Sequence, residues 1–247
     1  MKEVAEIVIL DIKPYSESSL WICFFSEKHG LQNGIIKGGK KKKVKPLVLG
    51  LYEASFFRWS NSGLQNINGV ERSIALENTY NSAVKILIAF FVAESIKSFL
   101  TSGVEDRSFF FFIKEKVLLL NNENRVKEYP IHFLSELIIY SGHKPLKSNE
   151  KKLESFDIST GFFNPNGISV NTIHNPDVVR SFHSVFYGPS IIKAGIENLV
   201  FDLLLDYSSY HLPGYDSKKS VEIFEKRYIV DLRFFEKKAF NSWRLSS

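Results

Sequence analysis

The chain has 247 residues, 44% of them apolar and 24% charged, and its 32 Lys+Arg against 27 Asp+Glu give a formal net charge of +5. This composition is typical of a globular protein with one large or two modest domains. The single cysteine, Cys23, excludes a disulfide framework and a Cys-rich zinc site, and it fits a reducing compartment, so we expect a cytoplasmic protein. The longest strongly apolar uncharged run, residues 86–93, is too short to cross a membrane, so we expect no membrane association.

Five short segments rich in Ile, Val, Phe and Tyr fill the first 72 residues and are separated by turn-forming residues. We predict strands at 3–12, 20–25, 31–37, 47–59 and 64–71. Five such strands are too few for an immunoglobulin-type sandwich, but they suit a Greek-key barrel such as the OB-fold, whose loops and open face bind single strands. The sequence therefore predicts an α+β protein with an OB-fold DNA-binding domain at residues 1–72.

Beyond residue 72 the apolar residues recur at three- and four-residue intervals, which predicts a helical bundle domain over residues 73–247. Helices are predicted at 74–100, at 105–120 and at 131–140, the last opened by Pro130 and closed by Gly142. Further helices are predicted to start near Asp177 and near Pro189, the latter with its buried residues in 191–210, and more helix is expected at 217–230. Residues 153–176 follow neither period and predict an irregular insert, a loop or weak hairpin. The aromatic tail after Asp231 is expected to dock onto the bundle.

The excess positive charge is concentrated in the N-terminal part, where the first 72 residues hold 11 basic and 7 acidic side chains. Six lysines fall within nine residues that contain no acid: Lys37, Lys40, Lys41, Lys42, Lys43 and Lys45. Such a run repels itself, so we expect a solvated loop until a polyanion neutralises it. A loop that serves only solubility is the alternative interpretation.

Two aromatic residues, Tyr15 and Trp59, join these lysines as candidate DNA contacts, because the bases of a single strand stack on exposed rings. About half of the aromatic residues in the predicted strands are expected to point into the core. Of the 32 basic residues 24 are lysine, which suits phosphate contacts better than base reading. Binding is therefore expected to be independent of sequence.

No residue pattern indicates catalysis, so we predict that the protein is not an enzyme and needs no cofactor. Gly34-Ile-Ile-Lys-Gly-Gly39-Lys40-Lys41 matches GxxxxGK, but Lys41 stands where a phosphate-binding loop needs Ser or Thr, and Pro46 disfavours the helix that must follow. The six histidines form no HExxH motif, so no metal site is predicted. Cys23 lies in an apolar strand and is expected to be buried rather than nucleophilic.

Three N-terminal motifs resemble the RecO family of bacterial recombination mediators: Tyr15-Ser-Glu17-Ser18-Ser19 before an apolar strand, Phe25-Ser-Glu27 with Gly30, and Ile35-Ile-Lys37-Gly38 before the basic loop. The chain is more weakly similar to that family through 133–142 with Pro145 and through 210–214 with Lys219-Ser220. The resemblance implies an OB-fold followed by a helical domain, binding to single- and double-stranded DNA, annealing of complementary strands, and recombinase loading with RecR. It places Lys37 and the lysines after Gly38 in the family's basic loop.

The resemblance also implies a second partner, the acidic C-terminal tail of the single-stranded DNA-binding protein. A site for that tail should combine an apolar pocket with cations, and Arg125, Lys127, His132 and Phe133 are the candidates. The alternative is that Phe133 is core and the cations are merely surface charges. Many members of the family carry a four-cysteine zinc site, but residues 153–176 contain no cysteine, so we expect no zinc and a segment held by packing alone.

Two other functions remain open at this point. A protein-interaction adaptor could use the basic loop to bind an acidic polypeptide, and an RNA-binding OB-fold protein would show the same barrel and loop. Titration with oligonucleotides distinguishes the adaptor from a DNA-repair mediator. Competition between RNA and DNA of equal sequence distinguishes the RNA-binding protein from that mediator.

Overall fold

The computed structural model describes residues 3–41, 45–56, 63–100, 104–124, 126–148, 152–167 and 169–216. The described chain falls into two compact units, the first reaching to Asn124 and the second covering Arg125–Ser217. Each unit has its own secondary structure and core. None of the helices in the described ranges is long and apolar enough to cross a membrane.

The first unit begins with a closed five-stranded barrel, as the sequence predicts. Its strands are β1 (Glu3–Pro14), β2 (Leu20–Ser26), β3 (Gly30–Ile36), β4 (Leu51–Phe56) and β5 (Gln65–Arg72). Their order around the barrel is β1-β2-β3-β5-β4, and β4 pairs with β1 to close it. All neighbours are antiparallel except β3 and β5, which run parallel.

The barrel interior is filled by the apolar side chains that alternate along each strand. In β1 the inward residues are Ala5, Ile7 and Ile9. The other strands contribute the rest of this core: Ile22, Phe24, Ile36, Tyr52, Ala54, Phe56, Ile67 and Val70. The alternating apolar residues from which the strands are predicted are thus the residues that form the barrel core.

Three helices complete the first unit: α1 (Glu77–Tyr80), α2 (Ala83–Phe99) and α3 (Arg107–Asn122). The single helix predicted over 74–100 is divided, because Ser82 has an extended backbone and its hydroxyl accepts a hydrogen bond from the Lys85 N–H as an N-cap. On the outer face of the barrel, the Phe25 ring contacts Phe109 and Phe110 of α3. The predicted boundary at residue 72 marks the change from strand to helix, and the compact unit continues to Asn124.

The second unit contains α4 (Tyr129–Tyr140), α5 (Pro176–Tyr187) and α6 (Glu197–His211). Between α4 and α5 lies a three-stranded sheet with two residues per strand: β6 (Phe156–Asp157), β7 (Phe162–Phe163) and β8 (Thr172–Ile173). The rings of Phe156, Phe163, Phe182 and Tyr207 pack around this sheet. The helix predicted at 217–230 and the aromatic tail after Asp231 lie outside the described residues.

Candidate nucleic-acid interface

The lysine-rich loop joins β3 to β4, and its first residues pack on the turn between β1 and β2. Gly38 has a φ of +67°, which lets the chain turn sharply after β3. The Lys40 N–H then donates to the Ser18 carbonyl at 3.1 Å, and the Lys40 ammonium donates to the Ser16 carbonyl at 2.6 Å. The start of the loop is therefore fixed beside Tyr15, which belongs to the same turn.

The far end of the loop is fixed by two tyrosine hydroxyls. The Leu47 N–H donates to Tyr52 Oη at 2.9 Å, and Tyr80 Oη donates to the Val48 carbonyl at 2.9 Å. The Leu49 N–H donates to the Ile9 carbonyl at 2.6 Å. Burial raises the pKa of both tyrosines, so each hydroxyl stays protonated at neutral pH. The lysine-rich stretch thus lies between two anchored ends.

The predicted DNA-binding residues are placed as follows. Lys37, Lys40 and Lys45 are exposed, and none of them forms an ion pair with a carboxylate among the described residues. Tyr15 is 59% exposed on the turn that holds Lys40. The Lys41 side chain, Lys42, Lys43 and Trp59 lie outside what the structure describes. Lys37, Lys40 and Tyr15 are thus brought to one end of the barrel.

Lys13 and Trp21 extend this surface along the first hairpin, although the sequence did not single them out as a pair. They are register partners in β1 and β2, and the Lys13 ammonium lies 5.2 Å from the centre of the Trp21 ring. Lys13 also pairs with Asp11 at 3.2 Å, which partly neutralises it. Counting outward from the turn at 15–19 would have placed the two residues opposite each other, because hairpin register follows from the turn.

Two features of the barrel that could suggest chemistry, the lone cysteine and the GxxxxGK match, are placed as follows. Cys23 is buried, and its burial raises the pKa of the thiol to about 11, so it is a packing residue. Gly34 lies within β3, and the only helical structure between it and Lys41 is a single 3-10 turn at Gly39–Lys41. The GxxxxGK match therefore lacks the helix N-terminus that would receive a phosphate.

The three candidate protein-binding residues that the structure describes, Lys127, His132 and Phe133, do not form an exposed apolar pocket with unpaired cations. Phe133 is 1% exposed because it falls on the buried face of α4. Lys127 pairs with Glu197 at 3.0 Å, and His132 lies 3.6 Å from the Glu128 carboxylate. Arg125 is outside the described residues. Phe133 is thus a core residue, the alternative that the sequence left open.

The insert at 153–176 is held by packing and by a buried carboxylate, where the sequence predicted packing alone. Asp157 is 3% exposed, and one of its oxygens accepts hydrogen bonds from Ser159 and from the N–H and hydroxyl of Thr160. The other oxygen accepts from the hydroxyls of Ser169 and Thr172. No three His, Cys, Asp or Glu side chains cluster as metal ligands within the described ranges.

Comparison of the sequence with known proteins gives a match to one family model and to several relatives. Residues 1–73 match the family model described as "Recombination protein O N terminal". Two relatives are named DNA repair protein RecO: that of Flavobacterium psychrophilum is 25% identical over 233 residues, and that of Flavobacterium johnsoniae is 20% identical over 237. Each alignment covers 89% of this chain and 96% of the relative. A third, from Oceanobacillus iheyensis, is 24% identical over 187 residues, covering 69% of this chain and 72% of that protein.

The closed barrel followed by helices is the architecture of an OB-fold protein with a helical domain, and the named relatives support a role in DNA repair and recombination. The resemblance to the RecO family that the N-terminal motifs predicted is confirmed by the match over residues 1–73 and by the names of these relatives.

Proposed function

We propose that this protein acts in DNA repair and recombination by binding single- and double-stranded DNA through the β3–β4 loop and annealing complementary strands. The observation that carries the proposal is the state of the described loop lysines. Lys37 and Lys45 are exposed without a carboxylate partner in the described chain, and the Lys40 ammonium donates to a main-chain carbonyl. Their positive charge is therefore available to an external polyanion.

Annealing by such a surface requires no bond chemistry. Lysines that neutralise the phosphates of two strands remove the repulsion between them. Contacts to phosphate leave the base edges free, so complementary bases pair and drive the product. Tyr15 supplies an exposed ring beside Lys40 on which a single-stranded base can stack.

The proposal includes the partners that go with this role in the family. We propose that the protein works in the cytoplasm, that it loads recombinase together with RecR, and that it binds the acidic tail of the single-stranded DNA-binding protein. Lys127 and His132 stay candidates for the tail because their side chains are partly exposed, whereas the buried Phe133 can act only by supporting α4.

The test is a charge reversal in the loop, Lys40→Glu, Lys41→Glu, Lys42→Glu and Lys43→Glu together. We expect binding of a labelled oligonucleotide, followed by fluorescence anisotropy at physiological salt, to be lost while the protein still unfolds in one cooperative thermal transition, because the described contact that is removed, from the Lys40 ammonium to the Ser16 carbonyl, is exposed. The control is Arg180→Gln with Lys193→Gln, which removes cations that already pair with Asp177. Retained affinity in the loop variant would contradict the proposal.

A second assay tests annealing and the tail together. Complementary oligonucleotides coated with the single-stranded DNA-binding protein are annealed with this protein, once with the acidic tail intact and once with it removed. We expect annealing to need both the loop lysines and the tail. Tighter binding to RNA than to DNA of equal sequence would instead favour an RNA-binding protein.

A further inference from the structure

The second unit carries three lysines, Lys144, Lys147 and Lys152, that no described carboxylate neutralises, and the first two lie three residues apart in one segment. Three other cations of this unit are ion-paired: Lys127 with Glu197, and both Arg180 and Lys193 with Asp177. By contrast, Lys144 and Lys147, in the segment that follows α4, form no ion pair within the part of the chain that the structure describes. Lys147 is exposed and Lys144 is partly exposed.

The backbone that presents these lysines is fixed at three points. Tyr187 Oη donates to the Pro145 carbonyl, and Tyr207 Oη donates to the His143 carbonyl at 2.9 Å. The Leu146 N–H donates to the Gly161 carbonyl at 3.1 Å. Cations on a fixed backbone lose less conformational entropy when a ligand binds, so this segment is preorganised.

The ring of His183 lies close to Lys144 and Lys147 and is affected by their charge. The His183 ring lies between Phe163, at 5.0 Å between ring centres, and Tyr187, at 5.1 Å, and the Lys144 ammonium lies 3.9 Å from the centre of the Tyr187 ring. Burial lowers the pKa of His183, Lys147 and Lys144 lower it further, and a hydrogen bond to the main chain of Ser148 opposes them.

We propose that Lys144 and Lys147 form a second phosphate-binding patch, distinct from the barrel loop, that holds a nucleic acid strand on the second unit. Ammonium groups without a carboxylate partner, carried on a fixed backbone, bind the phosphates of a strand as point charges. The choice of nucleic acid as ligand rests on the proposed function. An annealing protein must hold two strands, and a second set of phosphate contacts provides for the second one.

The test combines the loop reversal with Lys144→Gln and Lys147→Gln. We expect the loop variant to keep weak oligonucleotide binding at low salt, with a log–log salt slope of about −1.4 for two contacts at about 0.7 each. That slope corresponds to a loss of about sevenfold between about 50 mM and 200 mM salt. Adding the patch substitutions should remove the residual binding, whereas adding the control pair Arg180→Gln and Lys193→Gln should leave it intact.

Failure of this inference and failure of the loop proposal are distinguishable. If the loop variant has no residual binding, or if the patch substitutions do not change it, the patch is overturned and the loop proposal stands. If the loop variant binds like the wild type and the patch substitutions abolish binding, the loop proposal fails and the patch is supported. If neither set of substitutions weakens binding, both are overturned.

The ring of His183 gives a readout at the patch itself. We expect the pKa of His183, followed by NMR, to rise when an oligonucleotide is added, because bound phosphates offset the two lysines. The Lys147→Gln variant should raise the pKa of His183 without any ligand. If an acidic peptide raises this pKa and an oligonucleotide does not, the patch serves a protein partner and the proposal is overturned.

Discussion

Cys23 is the only thiol of the chain, and its position in β2 determines its reactivity. Burial raises its pKa to about 11, so only a very small fraction is thiolate, the reactive form, at pH 8. We expect the native protein to react with a disulfide reagent such as DTNB at least about 100-fold more slowly than the urea-unfolded chain. Fast, stoichiometric labelling of the native protein would contradict the burial of β2.

Asp157 organises the insert of the second unit through the hydrogen bonds that it accepts. Burial alone would raise its pKa, but the hydrogen bonds from Ser159, Ser169 and Thr160 outweigh this effect and hold the pKa well below its usual range. We expect Asp157→Ala to lower the free energy of unfolding by about 3 kcal/mol, because it leaves several buried donors unsatisfied. Urea unfolding at pH 7 measures this loss.

The pH dependence of stability follows from the same carboxylate. Because the pKa of Asp157 is depressed in the folded state, its contribution is fully present above the unfolded pKa, about 3.9, and is lost as the pH falls below it. We expect Asp157→Asn, which keeps a hydrogen-bonding oxygen, to cost less than Asp157→Ala at pH 7. The Asn variant should also lose less stability than the wild type between pH 5 and pH 3. Equal acid sensitivity of the two would contradict this role.

The sequence did not reveal Asp157, because its partners are ordinary Ser and Thr residues up to 15 positions away. Only the turns between β6 and β8 bring their hydroxyls to one carboxylate. The loop lysines, by contrast, were identifiable from the sequence, since six like charges in nine residues need no tertiary information.

At the scale of elements, the β2–β3 turn is matched closely to the segment before α3. Gly30 has a φ of +65°, and a Cβ at this position would overlap the Val104 carbonyl. Glu27 of the same turn accepts a hydrogen bond from Arg107 Nε at 2.9 Å. The turn and the start of α3 are thus joined by one close backbone approach and one ion pair.

A pair of substitutions separates backbone strain from this close approach. Gly38 has nearly the same φ, +67°, but nothing lies within 4 Å of a Cβ there. We expect Gly38→Ala to lower the free energy of unfolding by about 1 kcal/mol from strain alone, and Gly30→Ala to lower it by at least about 3 kcal/mol. Chemical denaturation of both variants makes the comparison. Equal losses would show that the contact with Val104 has no energetic weight.

The sequence predicted the bounds of β1, β2, β3 and β5 to within two residues, whereas β4 begins at Leu51 rather than at 47 and α6 begins at Glu197 rather than near Pro189. Alternation and turn residues located all five barrel strands, and Pro130 and Gly142 bracketed α4. The division between α1 and α2 was missed because Ser82 interrupts an otherwise continuous apolar period. The strands β6, β7 and β8 are two residues long, which is too short for an alternating pattern to be recognised in the sequence. They are defined instead by the tertiary contacts of Asp157 and of the aromatic rings.

For the molecule as a whole, the proposed DNA binding would owe its strength and its salt dependence to the lysines that have no described carboxylate partner. We expect Lys37→Gln with Lys45→Gln to reduce the magnitude of the log–log salt slope for single strands by about 1.4, at about 0.7 per contact. The control pair Arg180→Gln and Lys193→Gln removes the same charge from ion-paired positions and should leave the slope unchanged. Titrations at several salt concentrations measure both; equal slopes for the two variants would point to a general charge effect.

The candidate site could be predicted in composition but not in geometry. The sequence supplied the lysine loop and Tyr15, yet the contacts from Lys40 to Ser16 and from Tyr80 to Val48 join residues 24 and 32 positions apart. Such contacts depend on barrel closure, which no local pattern encodes. For the same reason the sequence could place Phe133 on a helix, but whether its side chain is buried or exposed depends on how that helix packs.

Closure of the barrel also restricts how other proteins can attach to it. Each of its five strands is hydrogen-bonded to a neighbour on both sides, although β3 and β5 pair only over Gly34–Ile36 and Gln65–Ile67, so little strand edge is open to an added peptide strand in the described barrel. We therefore expect partners to contact mainly side chains on the loops and the outer surface of the barrel. The same arrangement limits edge-to-edge aggregation between copies of the chain.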